Sequence, residues 1–171
     1  MLIQYTMMGL LSIVLTTACQ RDQNLDEIPE RIIVKGDDRL HSSSQGVLTY
    51  DSLPFSGFIV RYFPDGKLRS KKAYFDGRQQ QVSFTYHHNG QVETIRPYLD
   101  GEKHGEHLGY YSDGQLKFKY QFQNGLSEGT HFTWYPDGAL ESEMNFKDGH
   151  EFGSQKVWRS DGKFRSNYVI R

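Results

Sequence analysis

Acid–base, nucleophilic or metal chemistry in this chain would have to come from seven histidines, one cysteine and 21 acidic residues. Their spacing supports none of the three. His107 and His131 lie 24 residues apart, His104 precedes His107 by three, and His87-His88 form a pair. A zinc ion needs its nitrogens about 2.0–2.1 Å away, whereas residues two strands apart in a sheet are separated by roughly 10 Å, so these rings are expected on a solvated face. Glu141 and Glu143, two apart on one strand, would stand roughly 7 Å from each other, a separation glycosidases also use. No substrate-orienting set accompanies them, and they read as solvated. The sequence has no His-Glu-x-x-His, phosphate-cradling loop or dinucleotide fingerprint. No catalytic residue, metal ligand or cofactor is therefore expected.

Cys19 is the only cysteine, which excludes disulfide stapling and a zinc site built from several thiolates. It stands where an apolar run ends: Met7 to Leu15 is MMGLLSIVL, the length of a signal-peptide core and about half a membrane span. The following Thr16-Thr17-Ala18-Cys19 resembles the bacterial lipoprotein processing site, which implies cleavage before Cys19 and lipid attachment to its thiol. Gln20 in the next position implies the outer membrane. Residues 1–18 are thus expected to be a lipoprotein-type signal peptide and 19–30 a polar tether. The expected location is the cell envelope, with a lipid anchor.

Two surface features suit recognition rather than catalysis. The formal net charge is -1, giving no general attraction to nucleic acid, but the charge is uneven along the chain. Arg61, Lys67, Arg69, Lys71, Lys72 and Arg78 crowd into 53–81 against two acids, and could meet an acidic partner or lipid headgroup. Tyr62, Tyr86, Tyr110, Trp134 and Trp158 recur every 24 residues. Along one face they would make a stripe for an extended peptide, a partner's loop, or a glycan stacking on rings. The same rings could instead pack on each other as core, and both uses stay open at this level.

The elements that must position that stripe follow from composition. The chain has 17 Gly and 24 aromatic residues against three Ala, a mixture for strands joined by glycine turns and a poor one for helices. Acidic-or-Asn plus Gly pairs recur at 65–66, 89–90, 113–114, 137–138 and 161–162, and a second series at 76–77, 100–101, 124–125 and 148–149, all at intervals of 24. A further column holds Gly57, Gly105, Gly129 and Gly153, with Gln81 as its exception. Such a period is the signature of a repeat architecture.

Each unit reads as strand, turn, strand, loop. Pro64-Asp65-Gly66 predicts a three-residue hairpin loop, a type I turn followed by glycine in the left-handed region. Gly66, Gly90, Gly114, Gly138 and Gly162 are then structural turn positions. The loop near 76–81 is expected to be longer. Of the 22 aromatics from residue 53 onward, 17 are even-numbered, which predicts one face carrying the Tyr62 and Tyr74 columns and an opposite polar face. Residues 31–52 are expected to supply capping strands and 53–171 the repeat domain of about five units.

Residues 47 to 171, opening VLTYDSLPFSGFIVRYFPDGKL and continuing through WYPDGAL and WRSDGKF, resemble the bacterial MORN-like repeats. The resemblance implies an all-β fold: an elongated single-layer antiparallel sheet of tandem β-hairpins. It also implies a non-catalytic binding or scaffolding module, with a protein partner and no cofactor. Some such relatives are labelled antitoxin components, so neutralisation of a toxin is an alternative function, and glycan binding by the aromatic stripe is another. Gln81 in the glycine column, Lys156 in an apolar column and Arg159 in the column of Phe63, Tyr111 and Tyr135 depart from the pattern. They predict a looser second unit and a polar terminal cap.

Overall fold

The structure is a computed structural model and describes residues 28–171. The expected signal peptide, Cys19 and most of the tether lie outside the described residues. No helix occurs among the described residues, and every regular element is a strand.

Ten strands make a continuous antiparallel ladder in chain order: β5 (Gly57–Tyr62), β6 (Leu68–Phe75), β7 (Arg78–Tyr86), β8 (Val92–Leu99), β10 (Gly105–Tyr110), β11 (Leu116–Gln123), β13 (Gly129–Trp134), β14 (Leu140–Lys147), β15 (His150–Trp158) and β16 (Phe164–Ile170). Two short pieces, β9 (Glu102–Lys103) and β12 (Leu126–Ser127), extend the hairpins of β8 and β11. At the front edge β1 (Ile32–Val34) pairs in parallel with Phe58–Val60. β2 (Leu40–Ser42), β3 (Leu48–Tyr50) and β4 (Leu53–Pro54) form a separate small sheet. The predicted all-β sheet of tandem hairpins is the observed fold.

Among the described residues, the compact core lies between this small sheet and the start of the ladder. Phe55, 1% exposed, is packed with Leu48, Tyr50 and Ile59, and Ile33, Leu40 and Tyr74 close around them. Elsewhere strand pairing and ring contacts within the layer hold the units together, as expected where each repeat meets only its neighbours.

The first turn of each unit has the predicted geometry. Phe63 N–H donates to Lys67 O at 2.8 Å and Gly66 N–H to Phe63 O at 2.9 Å, and the same two bonds recur in all five units. Gly66, Gly90, Gly114, Gly138 and Gly162 have φ between +77° and +89°, the left-handed region that the turn requires. The preceding acid or Asn has its own purpose: Asp113 Oδ1 accepts from Gln115 N–H at 3.0 Å, with equivalents at Asp65, Asn89, Asp137 and Asp161.

Two expectations are corrected. The second loop is a tight two-residue turn: Asp76 (φ +47°) and Gly77 (φ +73°) join the paired residues Phe75 and Arg78. Positive φ at both positions is the type I′ geometry that matches strand twist, and the series at 100, 124 and 148 repeats it. The single greasy face is also corrected. Tyr62 pairs with Leu68, but Arg61 pairs with Ser70, so Arg69 is an extra residue, a β-bulge. Pairs past the bulge have odd sums, such as Gly57 with Tyr74. The bulge recurs in every unit. One inserted residue reverses alternation, so the Tyr62 column and the Tyr74 column lie on opposite faces and both faces carry rings.

Candidate functional site

Tyr62, Tyr86, Tyr110, Trp134 and Trp158 each stand last in a strand, opposite Leu68, Val92, Leu116, Leu140 and Phe164. The structure therefore brings all five onto one face, spaced two strands, or roughly 10 Å, apart. Tyr62 is 48% exposed and the other four are half-buried. Each gains support from the ring two residues earlier where one exists: Phe84 stacks on Tyr86 at 6.4 Å and Phe132 on Trp134 at 5.7 Å, while Trp158 packs on Phe164 at 5.2 Å. Rings fixed in this way lose little further side-chain freedom on binding. Charges interrupt the surface as pairs. Lys119 meets Glu106, and Lys156, the departure in the apolar column, reaches Glu143 Oε1 at 2.9 Å across the strand.

The opposite face is more closely packed and holds what sequence reasoning placed in solvent. His107 is 2% exposed and His131 is 7% exposed. Tyr98, His107, Phe122, His131 and Phe146 form a ladder of successive ring contacts, with centroids 4.4–5.6 Å apart. The solvated placement failed because the bulge puts odd-numbered His107 on the face of Tyr120 and Phe122. Each histidine also bonds to the backbone. Pro97 O already accepts from His104 N–H at 3.2 Å and Gln121 O from Glu128 N–H at 3.0 Å, and each carbonyl has a second lone pair to offer. His107 Nε2–H donates to Pro97 O and His131 Nε2–H to Gln121 O, both at 2.8 Å. Gln155, fully buried at the equivalent position, gives the same bond from its side-chain amide to Asn145 O at 2.9 Å. Burial holds both histidines below the usual imidazole range, the carbonyl bonds opposing this only in part. They are neutral structural donors. Among the described residues no group of three His, Cys, Asp or Glu stands where it could hold one metal ion.

Hydroxyls at the turn edge join adjacent units. Tyr111 Oη–H donates to Trp134 O at 2.7 Å and Tyr135 Oη–H to Trp158 O at 3.0 Å, while His87 Nε2 lies 2.9 Å from Tyr110 O. Sequence reasoning saw this column as a mere pattern. The recurrence of a polar-tipped ring at 87, 111 and 135 was its signal. Arg159 holds the corresponding place in the β15–β16 unit.

Two of these units carry a family signature. Residues 103–124 and 127–148 match the family described as MORN repeat variant. No curated protein is significantly similar to the chain. The first matched MORN unit spans Gly105–Tyr110, the Asp113-Gly114 turn and β11; the second spans β13, the Asp137-Gly138 turn and most of β14. The hairpins outside the matched residues repeat the same turn bonds and the same bulge, so one hairpin geometry runs from β5 to β16.

Proposed function

We propose that this chain is a non-catalytic protein-binding or scaffolding module of the cell envelope, exported and anchored to the outer membrane through a lipid on Cys19. The observation that carries the binding role is the alignment of Tyr62, Tyr86, Tyr110, Trp134 and Trp158 on one face, exposed or half-exposed across five units. A regular row of rings backed by a rigid sheet suits an extended protein segment, since aromatic anchors supply large contact area at small entropic cost. The match of two units to a repeat family agrees with a module built for surface rather than for a cleft.

Two measurements test this reading. Affinity capture from envelope extract should recover a protein with the wild type and lose it with Trp134→Ala/Trp158→Ala, while the thermal midpoint shows whether the variant remains folded. Capture that is untouched in a folded variant refutes the aromatic face as the binding surface. Metabolic fatty-acid labelling of wild type and Cys19→Ala tests the anchor; labelling that survives the substitution, or is missing from both, rules it out.

A further inference from the structure

Where the small sheet meets the ladder there is a pocket of about 140 Å³ lined by Lys35, Leu40, Leu48, Ile59, Arg61, Ser70, Lys72 and Tyr74. Three of these side chains are cationic and none is a carboxylate. Ile59 is opposite Lys72, Arg61 opposite Ser70 and Gly57 opposite Tyr74, so the sheet side of the pocket is a single face. The cap supplies Lys35, whose N–H is fixed by a 2.8 Å bond to Val60 O, and the apolar wall of Leu40 and Leu48. Lys72 is half-buried there.

We infer that this pocket binds a phosphate dianion, either inorganic phosphate or the phosphomonoester of a larger molecule. Gathering cations beside an apolar wall is costly unless an anion offsets them. The cost is visible at Lys72, whose ammonium is held below the ordinary lysine range by burial first, then by Arg61, Arg96 and Lys35. All three of these neighbours are cations; a carboxylate is not among them. Arg96 is itself placed by packing over the Phe118 ring at 5.8 Å. Two lysines further along the sheet do have acids: Lys119 has Glu106 and Lys156 has Glu143. A monoanionic carboxylate would neutralise a small part of this cluster, whereas a dianion with oxygens on all sides can take the guanidinium and both ammonium groups at once, with the Ser70 and Tyr74 hydroxyls as further donors. The pocket is large enough for a phosphoryl group and a few attached atoms.

Isothermal titration at constant ionic strength, with inorganic phosphate, glycerol phosphate and succinate as probes, tests the site. Saturable binding of phosphate or glycerol phosphate is expected, weakened at least about tenfold in Lys72→Gln and in Arg61→Gln and unchanged in Lys147→Gln, which lies far along the sheet. Arg61 is exposed, so its variant keeps the test valid if replacing Lys72 disturbs the fold. Phosphatidylcholine vesicles with and without phosphatidic acid separate the sources. Arg61-dependent binding to the acidic vesicles, without binding of the soluble probes, assigns the phosphate to a lipid headgroup. The inference is overturned if no phosphate-bearing probe binds above the chloride background, if succinate binds as tightly, or if binding in both variants equals that of the wild type.

Discussion

The phenolic hydroxyl of Tyr111 donates a 2.7 Å hydrogen bond to the main-chain oxygen of Trp134, 23 residues further along the chain. One unit thereby holds the strand end that carries the next unit's half-buried ring. Tyr135 does the same for Trp158. Phe63 has no hydroxyl at that position and instead packs edge-on against His88.

Removing those hydroxyls should loosen the joint between units without disturbing either hairpin. Tyr111→Phe and Tyr135→Phe are each expected to lower stability by about 1 kcal/mol, the net value of a hydrogen bond whose acceptor can turn to water. Denaturant unfolding measures the loss. Hydrogen exchange should quicken first at the Trp134 and Trp158 strand ends, because nearest-neighbour coupling in a repeat array is weakened locally.

Gly109 and Phe118 are a cross-strand pair in which the ring occupies the space of the missing side chain: a Cβ on Gly109 would lie 2.0 Å from Phe118 Cε1. At the same level of neighbouring units the pairs are Thr85 with Thr94 and Thr133 with Ser142, each with its hydroxyls 2.7 Å apart. Gly109→Thr alone should therefore lose about 1–3 kcal/mol through overpacking. Gly109→Thr/Phe118→Ser should recover much of it by recreating the hydroxyl pair. A double-mutant cycle from thermal or denaturant unfolding reads the coupling.

Acid should destabilise the fold through His107 and His131. Their folded-state pKa values lie below the ordinary value of about 6.5, so the neutral ring is the native form. Below about pH 6.5 the unfolded chain takes up protons that the fold refuses, and stability falls with pH, by at most about 1.4 kcal/mol per pH unit for each histidine. Above that pH the contribution is constant. His107→Gln/His131→Gln, which copies the side chain of Gln155 in the same column, should keep the carbonyl bonds and flatten the midpoint between pH 7 and pH 5. Thermal unfolding across that range is the measurement.

At Gly90 an added methyl would meet no atom within 4 Å, while φ is +88°. Any loss on Gly90→Ala thus reports backbone conformation alone and is expected at about 1 kcal/mol. Gly90→Asn should lose less, since asparagine tolerates this region better. Equal losses in thermal unfolding would mean that the turn itself had changed.

The repeat, its period, the strand content and the three-residue turn were all legible in the residues, because each depends on local chemistry. Positive φ calls for glycine, an Asp or Asn side chain caps the turn, and rings and β-branched residues favour strands. The five-ring column was equally legible, since positions one period apart share a face whatever happens within the period. What lay opposite what was decided by tertiary structure. Arg69 and its equivalents were readable as residues but not as insertions, because a bulge is defined by the partner strand, and that one inserted residue sends the Tyr74 column to the far face. His107 became a buried donor because the bulge turns it to the packed face, where the Pro97 carbonyl offers a lone pair. The cationic pocket came from the same source: Lys35 is distant in sequence from Lys72, and only the docking of the cap beside the first hairpin brings their charges together.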